Sequence, residues 1–239
     1  MPTIIFNADD FGLSNAVNYG ILDSYLHGVV TSTTMLVNMP GTPHAVSLAK
    51  THSSLGVGVH LALTVGKPIL KDVPSLIDDN GYFYKIAEQR DEERVNVEEV
   101  AKEWTAQIET FLDYGLQPTH LDSHHHIHSW SHLLPVVEEL SNNYQLPWRN
   151  YFEQPPTGVS FITESFDDSF YQTGVNTDIV ERVLQTHIGS DSIEVMCHPA
   201  YVDASLLKLS SYTMERLEEG EVLTKVTIPE GCKAQKPRS

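Results

Sequence analysis

The chain is short of several features whose absence narrows what it can do. Cysteine occurs twice in 239 residues, at Cys197 and Cys232, which is too few for a disulfide framework. The opening MPTIIFNADD places a charged pair too early for a secretory leader, so the expected setting is reduced and cytoplasmic. No apolar run approaches the ~20 residues of a bilayer span. Basic residues are scarce, 15 Lys and Arg against 32 Asp and Glu for a formal net charge of -17, and only the sparse Lys233, Lys236 and Arg238 approach a cluster. Nucleic acid and anionic membranes are therefore not expected partners. Neither GxGxxG after the first strand nor GxxxxGK[ST] occurs, which removes the best evidence for dinucleotide and P-loop sites. Repeats and low-complexity segments are also missing.

What the sequence does contain is enough apolar material, 41% of residues, for one large core. Thr3 to Ala8 reads as a buried strand and Ser14 as the cap of a helix ending at Gly28. Strands follow at Val29 to Val37 and Gly56 to Leu63, with a helix from Pro43 to Lys50 between them. From about 65 to 95 the pattern loosens into an insertion, read either as a lid over the strand ends or as a plain surface excursion. A helix from Val97 to Tyr114, capped by Asn96 and stopped by Gly115, leads into a histidine-rich strand. Beyond it come a helix (Leu133 to Tyr144), a short strand (Leu146 to Asn150) and weaker signals over Val159 to Tyr171. A helix (Asp178 to His187), a strand (Ile193 to Met196), a helix (Tyr212 to Glu219) and a strand (Val222 to Ile228) follow. This alternation predicts an α/β fold: a single domain over 1–229, with about seven mostly parallel strands in a closed or incomplete (β/α) barrel. Residues 230–239 read as a frayed tail.

The chemistry concentrates in PTHLDSHHHIH, Pro118 to His128, which holds five of the 12 histidines and a carboxylate. The strand there gives way to a loop, the edge where α/β proteins bind ligands. Neutral imidazole is a common metal ligand, so a divalent-metal site is the first expectation; the alternative is histidines used as caps and core hydrogen-bonders. In a continued strand His124 and His126 would share a side, whereas in a helical turn His124 and His128 would. His124 belongs to the metal-facing set either way. Asp9-Asp10, His60 and His198 also fall at strand ends, which a barrel gathers on one rim. A carboxylate with two histidines leaves room for water at a metal, the layout of hydrolytic sites. Asp9-Asp10 suits one oxygen on metal and its neighbour as base, or equally an Asx turn before the first helix.

NADDFGLS (Asn7 to Ser14), VTSTTMLVN (Val30 to Asn38), GVHLALT (Gly58 to Thr64), THLDSHHHIH (Thr119 to His128) and EVMCHPAY (Glu194 to Tyr201) resemble the motifs of the YdjC-like carbohydrate deacetylases, among them chitooligosaccharide deacetylase. The resemblance extends through nearly the whole chain. It implies a deformed (β/α) barrel that hydrolyses the linear amide of N-acetylglucosamine oligosaccharides such as chitobiose or its 6-phosphate. The implied cofactor is a divalent ion, magnesium by the resemblance, with zinc, manganese and cobalt also open. Asp10, His60 and His124 match the metal ligands and Asp9 the base; Arg149 and His198 match less firmly. His198 is the first choice for the acid that protonates the departing amine, its alternative being a core histidine fixed by Pro199. His125, His126, His128 and Tyr201 are expected to orient ligands or touch substrate, and look-alikes are usually homodimers. The rival readings are another metal-dependent hydrolase, a phosphoesterase or amidohydrolase, and a non-catalytic sugar-binding regulator.

Overall fold

A computed structural model describes residues 2–89 and 95–237. Seven strands form one sheet: β1 (Thr3–Phe11), β2 (Ser32–Met35), β3 (Gly56–Leu61), β4 (Leu121–Ser123), β5 (Ser165–Asp167), β6 (Ser192–Cys197) and β7 (Lys233–Ala234). Their order is β4-β3-β2-β1-β6-β5, with every pairing parallel. Beyond β4 the curl continues as isolated parallel bridges from Leu121 to Trp148 and from Trp148 to Phe161, a short step in the chain before β5. The expected single-domain, incomplete (β/α) barrel is thus a curled half-barrel. Its β1, β2, β3 and β6 are almost wholly buried, because helices cover parallel strands on their outer face.

The helices are α1 (Asn15–His27), α2 (Thr42–Thr51), α3 (Ile86–Gln89), α4 (Val97–Asp113), α5 (Leu134–Tyr144), α6 (Ile179–Thr186), α7 (Leu206–Leu209) and α8 (Glu215–Leu223). Local chemistry explains the starts of the long ones. The Ser14 hydroxyl accepts from Val17 N at 3.2 Å, and the Asn96 amide oxygen from Glu98 N at 2.9 Å, with Glu98 and Glu99 complementing the helix dipole. Proline opens α2 and α5, where its missing N–H costs nothing. Val100, Trp104, Ile108 and Phe111 give α4 its buried stripe, spaced to pack on β3. Among the described residues no helix is long and apolar enough to cross a membrane.

Three local expectations are corrected. Leu146 to Asn150 contributes single bridges rather than a strand: the Leu121 N–H donates to Pro147 O and the Arg149 N–H to Leu121 O, but the chain then turns, with the Tyr151 N–H on Arg149 O, and the pairing goes no further. The strand expected at Val222 to Ile228 does not form: α8 runs to Leu223 and a turn follows. The tail supplies it instead, as Lys233–Ala234 pairs with Thr3 and Ile4, filling the edge of β1 ahead of the point where β2 begins to pair at Asn7. Residues 238 and 239 of that tail lie outside the described residues.

The 65–95 segment is anchored, although residues 90–94 of it lie outside the described residues. Ile69 N and Leu70 N donate to the Glu103 carboxylate at 2.9 and 3.0 Å, and Ser75 N to Glu99 at 2.9 Å. Its own Val73, Leu76 and Phe83 are buried. Lys85 and Ile86 reach the wall of the cavity described next.

Candidate active site

Asp9 and Asp10 are adjacent in β1, and a regular strand would send them to opposite faces. The register prevents this. Three steps from Ala8 to Phe11 oppose two steps from Thr33 to Met35, and Asp10 takes the left-handed conformation with φ 72°. This is a β-bulge, a device that re-aims side chains beside sites. Both carboxylates consequently line one cavity of about 710 Å³ with His60, His124, His198 and Arg216.

Asp10, His60 and His124 offer ligand atoms within 4.8 Å of one another. Asp10 Oδ1 lies 3.0 Å from His124 Nδ1 and 3.6 Å from His60 Nε2, yet it is buried with no hydrogen-bond partner. A buried carboxylate oxygen left so is costly. One oxygen and two imidazole nitrogens aimed at a common point fit a divalent cation. His60 is oriented from behind: its Nδ1 sits 2.7 Å from Asp122 Oδ1 and 3.1 Å from the Thr34 hydroxyl, leaving Nε2 for the cavity. Burial disfavours the imidazolium of His60, but Asp122, Asp9 and Asp10 outweigh it and push the pKa up to about 9. An arriving cation must therefore displace a proton.

The other Asp10 oxygen, Oδ2, accepts from Arg216 Nη2 at 2.6 Å. Asp9 has its own arginine. Arg149 Nη1 and Nη2 donate to Asp9 Oδ2 and Oδ1 at 2.7 and 2.6 Å, Nε donates to Glu194 at 2.9 Å, and Nη2 is 3.0 Å from Asp122 Oδ2. Burial alone would raise the Asp9 carboxyl, but the Arg149 guanidinium holds it well below the ordinary range. Glu194, equally buried, is pushed up to about 7 by desolvation that Arg149 only partly offsets. Asp9, His60 and Asp122 also come within ligand distance of one another. Arg149 and the His60–Asp122 contact already satisfy that group, so it needs no second ion.

His198 follows β6 on a loop pressed against α1, where Gly20 leaves no room for a Cβ against the Ala200 backbone. Its ring lies edge-on to Tyr171 and Tyr212, both at 5.8 Å between centroids. Glu219 of α8 accepts from the His198 backbone N–H and stands 3.7 Å from Nδ1, while the Tyr212 hydroxyl donates to Glu219 at 2.7 Å.

The histidine run is neither strand nor α-helix. His125 and His126 both take left-handed conformations, φ 59° and 54°, inside a 3₁₀ turn from His124 to Ser129. Only His124 of the run joins Asp10. His125 bonds the Thr64 hydroxyl through Nδ1 at 2.9 Å, and His126 leans on Tyr151. His128, which a helical turn would have placed beside His124, is instead buried with Nδ1 2.6 Å from the Ser123 hydroxyl. Tyr201 does not line the cavity: it is exposed, its hydroxyl donates to Asp23 at 3.0 Å and its backbone N–H donates to Ala16 O. Sequence reasoning missed Arg216 and Glu219, which share the Glu-rich helix α8. A lone arginine among Glu215, Glu218 and Glu219 was the available signal for the first; none existed for the second.

Residues 3–234 match the family described as YdjC-like protein. The chain is 46% identical over 230 residues to a carbohydrate deacetylase of Halalkalibacterium halodurans, covering 95% of this chain and 97% of that one. A carbohydrate deacetylase of Geobacillus stearothermophilus is 45% identical over 224 residues, 94% and 90% of the two chains. A solved structure from Enterococcus faecalis, provisionally named a cellobiose-phosphate cleavage protein, superposes with a TM-score of 0.86 at 39% identity, over 93% of this chain and 90% of that one. A lactam utilization protein from Thermus thermophilus shares the fold alone, with a TM-score of 0.57 at 15% identity over 98% and 99% of the chains. With a match this long and relatives this similar, the chain belongs to the YdjC-like family.

Proposed function

We propose that the protein is a metal-dependent carbohydrate deacetylase that releases acetate from N-acetylglucosamine oligosaccharides such as chitobiose or its 6-phosphate. The observation that carries the reading is the convergence of Asp10 Oδ1, His60 Nε2 and His124 Nδ1 beside the ionised Asp9. The names of the relatives supply the substrate class. Asp10, His60 and His124 would hold the divalent ion, which when bound acidifies water and polarises the acetamide carbonyl. Two imidazoles and one carboxylate suit zinc, cobalt or manganese better than magnesium, which prefers oxygen donors.

The protein's own groups perform the proton transfers. Asp9, kept ionised and aimed by Arg149, accepts a proton from the attacking water as its oxygen bonds to the carbonyl carbon. Arg149 lowers the basicity of Asp9, so its gain is orientation rather than proton affinity. His198 gives a proton to the departing nitrogen as the C–N bond breaks, because an amide nitrogen leaves only as an amine. Glu219 accepts from the His198 backbone N–H and so fixes where that residue stands at the cavity. Lys85 and Lys208, which line the cavity without a carboxylate partner among the described residues, suit a phosphate on the sugar.

Acetate release from N,N′-diacetylchitobiose, with and without chelator, tests the reading. Release should stop with chelator and return with added divalent ion. Release that survives exhaustive chelation would remove the metal, and no release with any of the four ions would remove the deacetylase.

A further inference from the structure

A second cavity, of about 980 Å³, adjoins the first and shares His125, His126 and Asp168 as a common wall. Small-molecule sites fall at roughly 300–1,000 Å³, so this one is larger than a reacting acetamide needs. Its lining includes the rings of Trp130, Tyr151, Phe152 and Phe166, with Tyr151 and Phe166 packed against His126 and Trp130 beside His132. The rings are fixed by one another. Tyr151 lies 4.3 Å from His126 at 33° and 5.3 Å from Phe166 at 81°. The Arg149 guanidinium sits 5.0 Å over the Phe166 ring. The arginine that clamps Asp9 therefore also backs this aromatic corner. Tyr151 nevertheless remains 37% exposed, which leaves ring surface open to the cavity.

The polar lining has one sign. Glu153 and Asp168 contribute carboxylates, and no Lys or Arg lines the cavity among the described residues. His126 Nδ1 is buried without a hydrogen-bond partner, in the wall between the two cavities. The left-handed backbone of His125 and His126 places that ring there, at a cost of about 1–2 kcal/mol per residue for a side chain in this conformation. Strain of this kind is retained where a site needs it.

Aromatic faces, hydroxyl-accepting carboxylates and continuity with the hydrolytic cavity together specify the occupant. We infer that this trough binds a neighbouring, uncharged pyranose of the same substrate, stacking its C–H face on Tyr151 and Trp130 while the N-acetyl group to be cleaved lies against Asp9 and Asp10. The inference rests on the deacetylase reading for the identity of the reacting sugar. It makes the protein selective for chains over single sugars, and it confines any phosphate to the other end, toward Lys85 and Lys208 and away from Glu153. Like charges would repel it from the trough.

The test is calorimetric titration of N,N′-diacetylchitobiose and of N-acetylglucosamine into the chelator-treated protein, where no turnover intervenes. Wild type should bind the disaccharide at least tenfold more tightly. That margin should fall about tenfold in Tyr151→Ala and in Trp130→Ala but persist in Tyr151→Phe, since the ring face rather than the hydroxyl is the contact. Equal affinity for both sugars in wild type, or an unchanged margin in both alanine variants, would overturn the inference. Deacetylation measured on the metal-loaded protein separates the two readings: absent activity with the binding margin intact removes the reaction and keeps the sugar trough, whereas activity without the margin does the reverse.

Discussion

Asp9 and Asp10, consecutive in β1, are each bound by a different arginine: Arg149 grips both oxygens of Asp9, and Arg216 takes one oxygen of Asp10 at 2.6 Å while the other faces the His124 and His60 rings. The two carboxylates are chemically identical in sequence. Their pairing separates them into one oriented through both oxygens by its arginine and one whose second oxygen is turned to the two histidines that could share a cation with it.

Asp9→Asn should keep metal and lose turnover. The amide preserves shape but cannot take a proton, and removing a general base typically costs about 100-fold to 10,000-fold. Calorimetry for the metal and kcat for acetate release measure the two halves. Loss of metal along with activity would make Asp9 a ligand.

His124→Ala and Asp10→Ala should abolish tight metal binding, whereas His125→Ala should retain it, since His125 turns to Thr64. Titration of the three variants with zinc checks the assignment, and an intact site in His124→Ala contradicts it.

Arg216→Met should destabilise the metal-free protein by up to about 3–5 kcal/mol, because it leaves the buried Asp10 carboxylate with only the His124 and His60 rings beside it. Bound cation would neutralise the same charge, so the loss should shrink on metal loading. Urea unfolding with and without metal gives the difference. An equal loss in both states would show that Arg216 matters through packing alone.

Stability should fall as the pH drops from about 6.5 to 4. Burial, opposed by the Asp122 charge, lowers His120 to about 4 and His128 to about 3. Below pH 6.5 the unfolded chain takes up protons that these two folded histidines refuse, so their contribution falls as pH drops and is fully present above pH 6.5. Each buried histidine should account for roughly 3 kcal/mol by pH 4. Denaturant midpoints across that range measure it; a flat profile would mean that the two imidazoles are protonated in the fold.

Gln145→Gly should stabilise by up to ~1 kcal/mol. Gln145 ends α5 at φ 54°, the left-handed position that glycine takes without strain. A thermal melt reads the shift, and a lower melting temperature would show that the Gln145 side-chain bond to Asn142 O outweighs the backbone strain.

Much of the scaffold was legible in the chain itself. The caps at Ser14 and Asn96, the Val/Ile/Thr runs of β1 to β3 and the strand–helix alternation are local signals, and local chemistry decided them. The tail strand was not legible, since two residues such as Lys233 and Ala234 carry no pattern of their own and pair only because β1 offers them an open edge. The rim argument brought Asp9, Asp10, His60, His124 and His198 together from residue types at strand ends, which needed only the direction of the strands. Which atom faces which was decided in three dimensions. The bulge at Asp10, the left-handed pair at His125 and His126, and the division of Asp9 and Asp10 between Arg149 and Arg216 depend on partners up to 206 residues away. Sequence specifies the donors and acceptors; only the closed packing of a buried site fixes how their charges are shared, because there an unpaired charge has no water to turn to.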